Sequence, residues 1–141
     1  MTGLPHHTYM QDIATTLTSW ALAPTHWTAT TDEDHHLLVA EFHFAAGTSN
    51  TRHWPNGVYL TWTHTTGWRL NETPGNTWGT PRSWPLSDSS MTYSDPRQVA
   101  ADVRARVDHG LDGWEPGPIC ITGPRYDTEA VATACRAWPT A

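Results

Sequence analysis

The sequence predicts an α+β fold: an antiparallel β-meander of three to five strands with helices packed on one face. Three observations carry this reading. An amino-terminal segment repeats apolar residues at helical spacing, the middle of the chain alternates apolar and polar residues across hairpin-length connections, and an Asp-Pro pair opens a second helical stripe further on. At 141 residues the chain is long enough to bury one core and too short for two ordinary ones. Residues 1–141 are therefore read as one domain, with a core over 8–110 and a strand–helix extension over 111–141.

The first helix is expected from Thr8, where TYMQ fits a capping box: the Thr8 hydroxyl accepts from the amide three residues on and Gln11 reaches back. Met10, Ile13, Leu17 and Trp20 then fall on one stripe, and Pro24 ends the run. THWTATT at 25–31 is β-branched and aromatic, and HLLVAEFHF at 36–44 sends Leu38, Ala40, Phe42 and Phe44 to one face, with the acidic residues 32–34 between them. GVYLTWTH at 57–64 alternates Val58, Leu60 and Trp62 against Tyr59, Thr61 and Thr63. It enters WRLN through TTG, where Gly67 supplies the positive φ of a short hairpin. From Asn71 to Ser94 the periodicity collapses into a Pro-, Gly-, Asn- and Ser-rich stretch, with one short edge strand expected around Met91 to Tyr93.

Asp95 caps the second helix, with Pro96 at its first position, Gln98 at its third, and Ala100, Val103 and Val107 as the buried stripe; His109-Gly110 is its stop. An extended piece, PICIT, then reaches Gly123-Pro124, and a third helix starts at Asp127 with Val131, Cys135 and Trp138 on one side. WPNGVYLTWTHTTGW followed by SDPRQVAADVRARV resembles the pattern of small actinobacterial proteins of unknown function, in which an apolar strand enters a Gly-Trp hairpin and a later Asp-Pro opens a Val- and Ala-rich helix. The resemblance spans roughly residues 8–110. It implies a meander-plus-helix fold and brings no activity or functional residue with it.

Composition narrows the function classes. Eight basic residues, all arginine, face fourteen acidic ones, a net charge of −6. Only Arg104 and Arg106 lie close together, beside Asp102 and Asp108, so nucleic acid and anionic membrane are not expected partners. The amino terminus lacks a basic stretch followed by an apolar run, which makes the cytoplasm the expected compartment. Cys120 and Cys135, fifteen positions apart, match neither a disulfide framework nor a zinc spacing and are expected reduced and buried.

Candidate chemistry is sparse. Glu41 and His43 share a face of the second strand and His64 lies on the next, so a Glu/His/His metal set could be assembled across the sheet, but no H-E-x-x-H or comparable pairing supports it. Polar positions on a solvated face are the simpler reading, and no cofactor is expected. No nucleophile motif such as G-x-S-x-G is present, and most of the acidic residues read as caps, turns and helix surface. ICITGPRYDTEA has the outline of an anion-cradling turn with Arg125 nearby, yet a lone glycine reads more simply as a strand-to-helix turn.

The nine tryptophans are the unusual feature. Trp20, Trp62, Trp68 and Trp138 occupy periodic positions and are expected in the core or at its edge. Trp54, Trp78 and Trp84 fall in Pro/Gly/Asn-rich segments, either as buried loop anchors or as a contact site, with Arg82 placed to stack on an indole. The favoured reading is a non-catalytic protein-interaction module of accessory, inhibitor or immunity-like type, holding a basic protein partner through Trp54, Trp78, Arg82 and Trp84. The alternative is a small-ligand- or metal-binding protein or enzyme using the sheet's His/Glu face. A homodimer whose loop tryptophans bury one another is a third.

Overall fold

The computed structural model describes residues 3–45, 53–74, 82–110 and 117–139. Along these residues run α1 (His7–Ser19), β1 (Pro24–Asp32), β2 (Leu37–Phe44), β3 (Val58–Thr63), β4 (Gly67–Glu72), β5 (Ser83–Pro85), α2 (Pro96–His109) and α3 (Thr128–Ala137). The strands pair antiparallel in chain order, β1-β2-β3-β4-β5. The predicted meander forms with its full complement of five strands.

Period-two alternation places Leu38, Ala40 and Phe42 of β2, Leu60 and Trp62 of β3, and Trp68 and Leu70 of β4 on one buried face. Met10, Ile13 and Leu17 of α1 and Val99, Val103 and Val107 of α2 close over it. Each of these large apolar side chains contributes about 1.5–3 kcal/mol when removed from water, which is what holds the two layers together. Gly67 turns the β3–β4 hairpin at φ +77°, as expected, and a Cβ there would stand 3.2 Å from the Thr92 hydroxyl.

Asp95 caps α2 through its Oδ1, which accepts from the Arg97 amide at 2.9 Å, and Gly110 ends the helix at φ +70°. Asp127 caps α3 in the same manner through the Ala130 amide at 3.0 Å.

Several elements depart from the sequence expectation. Helix α1 starts at His7 and Thr8 lies inside its first turn, while His6 occupies the cap position without a side-chain cap bond. The His6 imidazole is committed elsewhere: it is fully buried, stacks on Trp62 at 5.5 Å and places Nε2 2.9 Å from the Val39 carbonyl. The short edge strand forms at Ser83–Pro85, with Leu70 opposite Trp84, and not around Met91 to Tyr93. Side chains fix that latter segment instead. Trp62 Nε1 donates to the Thr92 carbonyl at 2.7 Å and the Tyr9 hydroxyl donates to the Ser94 carbonyl at 2.6 Å.

PICIT forms no strand; Gln98 Oε1 takes the Ile119 amide at 2.9 Å, so helix α2 holds this stretch in place of a sheet. Cys135 is buried, but Cys120 is exposed, and both are free thiols.

Asp102, one of the two acids beside Arg104 and Arg106, is fully buried. It accepts from Gln98 Nε2 and Ser87 Oγ, each at 2.9 Å, and from the Ser90 hydroxyl. A buried carboxylate persists only with such donors, and these tie segment 87–90 to α2.

Candidate interaction surface

The loop tryptophans separate into different roles. Trp54 is 2% exposed, and its Nε1 donates to the Arg106 carbonyl at 2.9 Å. It is an anchor and offers no ring to a partner. Its indole meets Trp84 edge to face at 5.6 Å. Trp84 sits on β5 opposite buried Leu70 and is only partly covered, so Trp54 forms the inner wall against which Trp84 is held at the rim. Trp78 lies outside the described residues.

Arg82 completes the rim. Its side chain is 62% exposed, its guanidinium carbon stands 5.0 Å from the Trp84 ring centroid, and Nη2 donates to Glu72 Oε2 at 2.6 Å with Nε 3.4 Å from Oε1. The forked contact to Arg82 holds the Glu72 carboxyl below its ordinary value and raises the guanidinium further. Stacking and pairing together fix a long, exposed side chain in one orientation, which lowers the ordering cost of using it in a contact.

The backbone of β5 offers little to a further strand. Glu72 N donates to the Arg82 carbonyl at 2.9 Å and Leu86 N to the Trp68 carbonyl at 3.0 Å, so the ladder bonds fall at Arg82, Trp84 and Leu86 and the outward positions are Ser83 and Pro85. Proline has no N–H, and the Ser83 carbonyl already accepts from Arg69 Nη2 at 3.1 Å. What this edge presents is therefore side chains, namely Arg82 and Trp84.

The second candidate set does not assemble. Glu41 and His43 lie on the open face of β2, alternating with buried Ala40 and Phe42, and their side chains come within 3.8 Å. His43 stacks on Tyr59 at 5.0 Å. His64 is directed elsewhere: its Nδ1 accepts from the Leu38 amide at 3.0 Å and its ring meets Trp138 edge-on at 5.9 Å. Among the described residues no group of three or more His, Cys, Asp or Glu side chains converges on a point where an ion could sit.

An open groove of about 440 Å³ lies between α1, the start of α2 and residues 124–126. Its polar groups are largely used internally. The Tyr126 hydroxyl bonds Asp12, and Arg97 spends its donors on Asp95 and on the Thr122 and Pro124 carbonyls. The Gly123 turn thus offers carbonyls to Arg97, and the amides of Tyr126 and Ala130 are taken by Asp95 and Asp127. Arg125 at the lip is exposed.

Sequence reasoning missed the two groups that build the rim from beneath, Glu72 and Arg69. The strand period carries the signal for both: Arg69 alternates with Trp68 and Leu70 and faces away from the core, while Glu72 continues the Trp68–Leu70 face at the strand's end, beside Arg82. No described helix is long and apolar enough to cross a membrane. Comparison with known protein families, curated proteins and solved structures yields no match.

Proposed function

We propose that this chain is a protein-interaction module whose contact surface is the β5 rim, with Arg82 and Trp84 as the residues that grip. One observation carries the reading. An exposed arginine is stacked on a half-exposed tryptophan, pinned by Glu72 and backed by a buried second tryptophan. Tryptophan and arginine dominate binding hot spots, and a contact that is ordered before binding loses less entropy on binding. The net charge of −6 favours a basic partner and makes association sensitive to salt.

The test is affinity capture from the source cells with the intact chain as bait, beside Arg82→Ala and an Arg82→Ala/Trp84→Ala variant, read by mass spectrometry. A protein held by the wild type, weakened by the single change and lost with the double is the expected result. An unchanged set of captured proteins, with both variants folded by circular dichroism, contradicts the proposal.

A further inference from the structure

The sheet's other edge is built differently. Strand β1 runs nine residues, and its only charged side chain is Asp32 at the far end. The phase of its ladder follows from Leu38. That residue's carbonyl accepts from the His64 amide at 3.2 Å, and its own N–H donates to His64 Nδ1, so both of its backbone groups face β3. Thr31, opposite Leu38, is then a non-hydrogen-bonded position, and strict alternation makes Ala29 and Trp27 the same. The N–H and C=O groups of Trp27, Ala29 and Thr31 therefore point away from the sheet. Among the described residues nothing bonds to them. Natural sheets shorten, charge or cover such an edge, because a free ladder recruits another strand. Here β5 carries those protections along its whole length, whereas on β1 Pro24 and the register shift between Pro24 and His26 lie at the strand's start and leave 27–31 uncharged and regular.

We infer that β1 pairs with β1 of a second copy of this chain, antiparallel about a two-fold axis at Ala29, joining the two sheets into one. The register decides the occupant. With Ala29 opposite its own counterpart, Trp27 meets Thr31 of the other copy, and every outward N–H and C=O of both strands gains a partner. On the open face the same register sets Thr28 against Thr30, a β-branched pair, and the His26 imidazole against Asp32, whose carboxylate already takes the His35 amide and ring, each pairing occurring twice by symmetry. Ala29 leaves the least bulk at the axis. A chain of net charge −6 meets its copy here through a stretch with no charge from Pro24 to Thr31, so no like charges face one another across the paired positions 26–31, and the acids at 32–34 fall at its ends.

The proposal goes beyond the β5 rim and stands without it. If both hold, the dimer carries two rims at opposite ends of a ten-stranded sheet, separated by about 43 Å at the usual strand spacing, so the assembly is bivalent.

The experiment is light scattering on the full-length chain across a dilution series, beside Ala29→Pro and Thr28→Lys/Thr30→Lys. Proline at 29 deletes an outward N–H and no bond to β2; the paired lysines place like charges across the seam while leaving the backbone unaltered. The expected mass is twice the 15.7 kDa of one chain for the wild type and that of one chain for both variants, with unchanged circular dichroism. A wild type that stays at the one-chain mass throughout overturns the proposal, whether or not some other extended peptide occupies the edge. A dimer that survives both folded variants overturns it equally, because it then forms through another surface, such as the loop tryptophans.

Discussion

At the β5 edge the strand is three residues long, its outward backbone positions fall on Ser83 and Pro85, and a stacked arginine covers its tryptophan. At the β1 edge nine residues run without a charge until the last, and alternate backbone groups point away from the sheet. The same sheet thus ends once in side chains and once in amides and carbonyls that no described residue bonds. On the proposed reading, recognition at the first depends on side-chain chemistry and leaves little backbone for an added strand. At the second it depends on backbone geometry and is selective mainly for register.

The strongest way to break this contrast is to remove the support of the closed edge. Trp54→Ala deletes the inner wall behind Trp84 and leaves a cavity in the core, at a cost of about 3–5 kcal/mol. Urea unfolding should show that loss. A cost below about 1 kcal/mol would mean that Trp54 does not anchor the rim. Gly67→Ala tests the hairpin between the two halves of the sheet. Its φ of +77° and the nearby Thr92 hydroxyl predict a loss of roughly 1–2 kcal/mol, and a neutral substitution contradicts the strained turn.

A smaller effect is expected from acid. Burial pushes His6 below its ordinary value of 6.5, with the charges of His7 and His64 acting in the same direction against its backbone bond to Val39. The folded state therefore binds its proton less readily than the unfolded chain. The associated stability is complete above pH 6.5 and is lost as pH falls through the lowered folded value. Urea midpoints of the wild type should drop on acidification more steeply than those of His6→Phe; parallel slopes would remove His6 from the account. The smallest effect on stability is expected at the rim itself. Arg82→Ala leaves the urea midpoint where it was, because exposed ion pairs contribute little to folding, and changes binding alone.

Much of the architecture is legible in the chain because local rules and tertiary packing agree there. The Asp95-Pro96 cap, the Gly67 turn and the alternation of Leu38, Ala40 and Phe42 each need no distant partner to be recognised. The misplaced elements are those decided by distant partners. Ser83–Pro85 becomes a strand because Leu70 offers Trp84 a pairing site, although two prolines bracket the region against it. His6 lies in the core because Trp62 and the Val39 carbonyl receive it, and nothing within the first ten residues announces that.

Asp102 follows the same logic, its donors Ser87 and Ser90 being twelve or more positions away. Of the candidate site, composition singled out Arg82 and Trp84 together with Trp54. Only the fold distinguishes the ring that supports from the ring that is presented. The openness of β1 is the least legible feature, since it depends on which residues of each pair bond, a matter of phase that composition does not carry.

Residue-resolved amide exchange on the Ala29→Pro chain measures that phase directly. With its seam blocked, the Trp27 and Thr31 amides should exchange rapidly while those of Thr28 and Thr30, bonded to β2, stay protected; in the wild type Trp27 and Thr31 should gain protection as concentration rises. Uniform slow exchange along β1 in the blocked chain, independent of concentration, would mean that the edge is already covered and that the contrast between the two ends of the sheet does not exist.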